Sequence, residues 1–161
     1  MGKLGVLGIG NTLKGDDGIG VMLVKELKKE EFPGEVEFHE VGTSGMNILH
    51  YLEGLDKAVI VDALRSGGNP GDSIFFRPEE VDKDITVRST HDANLLEAIE
   101  LSETLGERPE KIVIMGVIPD DMTIRDGLSP LLENKLPDLV KKLREKIISL
   151  IEEEGGTTPP S

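Results

Sequence analysis

Four consecutive apolar residues, Ala58-Val59-Ile60-Val61, run directly into an acid, Asp62. A strand with no polar residue on either side has to be covered on both faces, which is the setting of a central strand in a parallel sheet. Parallel neighbours need crossover connections, and these are usually helices. One short run thus points the chain toward a layered α/β design, if the rest of the sequence supplies helices and further strands.

The flanking segments do supply them. Leu4-Gly5-Val6-Leu7-Gly8-Ile9 is a second apolar run, and residues 1–9 read as a strand that ends in a glycine-rich loop. Ile19, Met22, Leu23 and Leu27 recur at helical spacing, with Lys25, Glu26, Lys28 and Lys29 on the solvated face, until Pro33-Gly34 breaks the pattern. Residues 35–41 alternate apolar and acidic, as a strand nearer the sheet edge does. Gly42-Thr43-Ser44-Gly45 opens a short helix carrying Ile48, Leu49 and Leu52. A glycine-rich loop at 66–71 leads into residues 73–77, a helix after His91 carries Leu95, Leu96, Ile99 and Leu105, and residues 112–117 read as the last strand. Ser129-Pro130 has the form of an N-cap followed by a first-turn proline. It opens a long amphipathic stretch in which Pro137 marks a kink or a fresh start. The expected fold is a doubly wound α/β/α sandwich with a twisted, mostly parallel sheet of about five strands. It forms a single domain over 1–154, with 155–161 as a disordered Gly/Pro/Thr tail.

Composition narrows the chemistry. The 161 residues suit one domain, and 31 acids against 18 bases give a net charge of −13, which argues against nucleic acid as a partner. The absence of cysteine excludes disulfides, thiolate zinc sites, iron–sulfur clusters and a cysteine nucleophile. No apolar run approaches the roughly 20 residues that span a bilayer, and the first residues lack a signal peptide's apolar core, so a cytoplasmic protein without membrane insertion is expected. The chain contains no Gln and many Glu and Lys, a composition that suggests a heat-loving source.

In open parallel sheets ligands bind beyond the carboxyl ends of the strands. The loops expected there carry Asp16 and Asp17, Gly42 to Gly45, Asp62 and the segment Ser89-Thr90-His91-Asp92. Gly8-Ile9-Gly10 invites a dinucleotide reading, but that fingerprint requires glycine where Leu13 stands, and two acids occupy the place of a pyrophosphate. Taken singly, Asp62 reads as a cap for a neighbouring amide, His91 as a helix cap or packed ring, and Asp17 as a turn acid. Their convergence on one crevice favours a site. A helix N-terminus disfavours imidazolium, so His91 is expected neutral and able to bind a metal. Ser44 lacks the spacing of a nucleophile elbow, and Ser89 lies too near His91 in sequence for an evident triad. Two carboxylates and one imidazole form a donor set for a divalent transition metal, with positions left for water or a substrate group.

These residues resemble the endopeptidases that mature the large subunit of nickel–iron hydrogenases. Gly8-Ile9-Gly10-Asn11-Thr12-Leu13 with Asp16-Asp17-Gly18-Ile19-Gly20 resembles the family's opening signature. Val59-Ile60-Val61-Asp62-Ala63 is similar to its second motif, Ser89-Thr90-His91-Asp92 to its third, and Gly127-Leu128-Ser129-Pro130 to a late feature. The resemblance implies an aspartic-type endopeptidase that removes the C-terminal extension of a large-subunit precursor after nickel insertion. It places Asp17, Asp62 and His91 as the catalytic, metal-contacting residues. Nickel would be borne by the precursor, with no tightly held cofactor of the enzyme's own, and the enzyme is expected to be a monomer. Its nucleophile is unassigned; water attacking a metal-polarised carbonyl, with a site carboxylate as base, is the expectation. Two departures bear on substrate choice: Glu40 stands where many members carry Asp, and Gly116-Val117-Ile118-Pro119 replaces Gly-Ile-Gln-Pro. Two other readings compete, a non-proteolytic module that docks a nickel centre and a general metal-dependent hydrolase.

Overall fold

The central strand extends further than its apolar run suggests. In the computed structural model, which describes residues 2–43, 45–65, 68–80, 88–89 and 92–156, strand β3 covers Lys57–Arg65. Asp62 therefore lies inside the strand, opposite Gly116, and the buried Ala63 and Leu64 carry the apolar pattern past it. The expectation that the strand ends at Asp62 is corrected on that ground.

Strand β1, Leu4–Ile9, runs parallel to β3 on one side, and β6, Lys111–Val117, runs parallel to it on the other. Strand β2, Val36–Gly42, pairs parallel with β1 and forms one edge. Strand β4, Ser73–Phe76, closes the other edge antiparallel to β6. The order is β2-β1-β3-β6-β4, with the two-residue β5, Arg88–Ser89, pairing antiparallel to the end of β3. A five-stranded, mostly parallel sheet is thus the observed frame. Alternation in residues 35–41 correctly marks an edge strand, in which Val41 is buried and the remaining residues stay partly or wholly exposed.

Helices cover both faces. Helix α1, Ile19–Leu27, and the long α4, Pro130–Gly156, pack with Val6, Val59, Val61, Met115 and their neighbours. Helix α2, Ile48–Leu52, and α3, Asp92–Thr104, cover Leu7, Ile60, Ile112 and Ile114 on the opposite face. Odd and even positions of β3 divide between the two cores, as the two-residue period of a strand requires. Pro137 sits inside α4 without ending it. Leu132, Leu139, Leu143 and Ile147 form one fully buried stripe across the proline, and that packing outweighs the cost of about 3 kcal/mol that a lost hydrogen bond and the ring's clash impose inside a helix. Helix α4 also continues through Gly155 and Gly156, which the sequence assigns to the tail; residues 157–161 lie outside those described. Leu105 falls after α3 and is 54% exposed, so the helix's apolar side is narrower than its sequence suggests.

Among the parallel strands, chain order reverses beside β1. From β1 the chain steps outward to β2, then returns to place β3 on the other side of β1. The crevice above the carboxyl ends of β1 and β3 is the switch point where doubly wound sheets bind ligands.

Candidate active site

The loop leaving β1 reaches this crevice by close backbone packing. Gly10 has φ +143°, and a Cβ there would lie 2.0 Å from the Asp17 carbonyl oxygen. On Gly20 a Cβ would lie 2.2 Å from the Val61 carbonyl oxygen and 2.7 Å from that of Ile9. The glycines of the opening motif therefore do not cradle a phosphate. They let the 3-10 turn Gly15–Gly18 and the start of α1 sit directly on the backbone of β1 and β3. That places the turn bearing Asp17 against the strand bearing Asp62.

The two adjacent acids of the turn face different surroundings. Asp16 is fully buried and accepts four hydrogen bonds. The Asp120 and Asp121 amides each donate to its Oδ2 at 2.9 Å. The Ser129 hydroxyl donates to Oδ2, and the Ser129 amide to Oδ1, both at 2.7 Å. Ser129 Oγ in turn accepts from the Leu132 amide at 3.3 Å, which caps α4 as the Ser129-Pro130 pair predicts. One carboxylate thereby ties together the turn, the loop after β6 and the start of the longest helix. Charge-assisted bonds of this kind are stronger than neutral ones, which offsets the cost of burying the charge.

Asp17 is 4% exposed and accepts the Asn11 amide at 3.0 Å on Oδ2. Asn11 is itself shaped by a local turn, its Oδ1 accepting the Leu13 amide at 2.9 Å. Asp62 is 1% exposed, between the runs Ala58–Val61 and Ala63-Leu64. Two of the three expected site residues are thus held on neighbouring elements at the switch point. The third, His91, lies outside the described residues, as does Ser44. Among the described residues no group of three His, Asp or Glu side chains forms a metal cluster, and the expected donor set would be completed only by His91.

Beyond the carboxyl ends of β3 and β6 lies a pocket of about 330 Å³ lined by Arg65, Gly68, Pro70, Ile118, Pro119, Asp120 and Met122. Next to it, the Thr123 amide and then the Thr123 hydroxyl hydrogen-bond to Asp121 and hold its carboxyl below the usual carboxylate range. Neither the pocket nor the Asp16 clamp is marked by a local sequence signal. Asp16 and Ser129 are 113 residues apart, and no spacing rule links them.

Residues 21–146 match the family model for hydrogenase maturation protease. The chain belongs to the hydrogenase maturation protease family. Among its relatives is the hydrogenase 2 maturation protease of Escherichia coli K12, 33% identical over 158 residues that cover 96% of this chain and 94% of that one. The structure of the hydrogenase maturating endopeptidase HybD from E. coli superposes with a TM-score of 0.78 at 31% identity, covering 95% of this chain and 94% of that one. The hydrogenase maturation protease HybD from Thermococcus kodakarensis gives 0.74 at 26% identity, over 91% and 99% of the two chains. A maturation endopeptidase is accordingly the role of this α/β fold. Among the described residues no helix is long and apolar enough to cross a membrane.

Proposed function

We propose that this maturation protease removes a C-terminal extension from the large-subunit precursor of a nickel–iron hydrogenase after nickel has been inserted. Asp17, Asp62 and His91 contact the nickel that the precursor carries. The observation that carries this reading is the pair of nearly fully buried acids, Asp17 and Asp62, on a turn and a strand packed together at the switch point of the sheet.

The chemistry follows from the donor types. Two carboxylates and one neutral imidazole suit a borderline divalent metal, but they include none of the soft ligands that would favour permanent retention. With no cysteine in the chain, any thiolates on the nickel come from the precursor. Recognition by only three protein donors leaves the metal bound chiefly to its own protein, so a loaded precursor is distinguished from an empty one. In the cleavage step, water attacks the scissile carbonyl, a site carboxylate takes the proton, and the departing amine receives it. The enzyme works in the cytoplasm as a monomer and keeps no cofactor of its own.

Mass spectrometry of precursor incubated with this protein, with and without nickel, tests the reading. Loaded precursor is expected to lose a C-terminal fragment, and apo precursor to keep its mass. Equal cleavage of both would remove nickel recognition from the proposal. Binding of loaded precursor without any change in mass would replace proteolysis by a docking role.

A further inference from the structure

The loops held by the Asp16 clamp present apolar side chains to solvent. Leu13 is 61% exposed and Ile124 is 88% exposed. Single exposed apolar residues are ordinary on protein surfaces. These two, however, are carried on segments bonded to each other. The Arg125 amide donates to the Leu13 carbonyl at 3.0 Å, the Gly15 amide to the Arg125 carbonyl at 3.2 Å, and Lys14 and Arg125 form a parallel bridge. The loop carrying Ile124 is tied along its length. Its Asp120 and Asp121 amides bond Asp16, and the Thr123 amide and hydroxyl bond Asp121. A loop fixed in this way presents Ile124 with little conformational entropy left to lose on binding.

Two residues earlier, Met122 lines the pocket together with Pro70, Ile118 and Pro119, and Arg65 and Asp120 supply its charge. At about 330 Å³ it sits at the small end of ligand pockets, which span roughly 300–1,000 Å³. Such a space suits one amino-acid side chain. Arg65 lines it with a guanidinium, a donor suited to a carbonyl or carboxylate of an incoming chain.

We propose that Leu13, Ile124 and Met122 form the docking rim for an extended segment of the precursor polypeptide, one side chain of which enters the pocket beside Arg65. The inference rests on the maturation-endopeptidase reading and adds the surface that selects the substrate. Continuity with the site identifies the occupant. Leu13 belongs to the loop whose Asn11 amide bonds Asp17, and the Met122 loop is bonded to Asp16. A polypeptide lying on the rim is therefore led toward Asp17 and Asp62. The apolar residues supply contact area, and the pocket sets the register of the chain at the bond to be cut.

The test is steady-state processing of nickel-loaded precursor by the double variant Leu13→Ser/Ile124→Ser. KM is expected to rise about tenfold, because two of the rim's apolar contacts with the precursor are removed together. The kcat is expected to change by less than about twofold, because nothing that touches the reacting bond is removed. Both residues are solvent-exposed, so the melting temperature should stay that of the parent. Leu105→Ser removes another exposed leucine, after α3, and should leave KM unchanged. An unchanged KM in the double variant, or a fall in kcat at constant KM, overturns the docking rim. Failure of the unaltered protein to shorten the precursor overturns the endopeptidase reading instead. In that event, tenfold weaker binding of loaded precursor by the double variant would still support the rim, and equal binding would reject it.

Discussion

Asp16 and Asp17 are chain neighbours in one four-residue turn, both nearly inaccessible, yet they belong to different parts of the molecule. Asp16 looks toward the loop after β6 and the start of α4, where four donors from three residues converge on its two oxygens. Asp17 lies on the side of the β1–β3 crevice and takes the amide of Asn11 from its own loop. Burial alone therefore does not separate an acid that joins distant segments from one that lies at the crevice. The distinction lies in what the surrounding backbone is arranged to do. Around Asp16 the chain supplies donors that join distant segments; around Asp17 the glycines bring the turn onto the strand that carries Asp62.

The largest effect should come from the crevice side. Asp62→Asn and Asp17→Asn are each expected to reduce processing of loaded precursor by about 10²–10⁴-fold, the range of a positioned acid–base or metal-contacting group. Asn keeps the shape of each side chain and one acceptor oxygen, so the melting temperature should fall less than in Asp16→Ala. A variant that loses its fold in step with its activity would place that acid with Asp16 instead.

The clamp side should show the reverse. Asp16→Ala leaves the Asp120, Asp121 and Ser129 amides and the Ser129 hydroxyl without their acceptor. Hydrogen bonds to charged groups contribute roughly 1.5–3 kcal/mol each and are not additive, so a loss of about 3–5 kcal/mol is expected. For a chain of this size that corresponds to a fall in melting temperature of about 6–20 °C. Thermal unfolding followed by circular dichroism measures it. A shift of a degree or two would mean that the clamp is dispensable and that the turn is held by its glycines alone.

The contrast also shows what a sequence can carry. Periodicity and apolar runs made the sheet frame and α1 legible, and the N-cap signature marked the start of α4, because each is a local pattern with a local cause. Asp62 was legible as a candidate because an acid next to a wholly apolar run is conspicuous, and Asp17 because it stands in a glycine-rich loop directly after a strand. Other features depend on the partner across space. Strand β3 continues past Asp62 because Gly116 lies opposite and Ala63 and Leu64 are buried. Helix α4 tolerates Pro137 because its stripe is packed on the sheet. Asp16 reads as one more turn acid until Ser129 arrives from 113 residues away. Close approach likewise explains glycines that otherwise suggest a nucleotide fingerprint.

A third carboxylate sharpens the comparison from the solvated end. Glu153, near the end of α4, accepts a hydrogen bond from Lys111 Nζ at 2.8 Å, with Lys57 Nζ at 4.0 Å. The Lys111 hydrogen bond, followed by the charges of Lys111 and Lys57, holds its carboxyl below the usual 4.5. A depressed folded-state value means that the pair contributes stability above the unfolded pKa and loses it as pH falls through the folded one. The Glu153 side chain is about half exposed, so solvent screening limits the contribution to below about 0.5 kcal/mol. Lys111→Met should therefore lower the urea midpoint slightly at pH 7, and the difference from the parent should shrink as the pH is taken below 4.5. Because Lys57 remains beside Glu153, part of the depression should survive in the variant. If Lys111→Met destabilised the protein at pH 7 as much as Asp16→Ala, the exposed pair would carry structure as the buried clamp does. The contrast between buried and solvated acids would then fail.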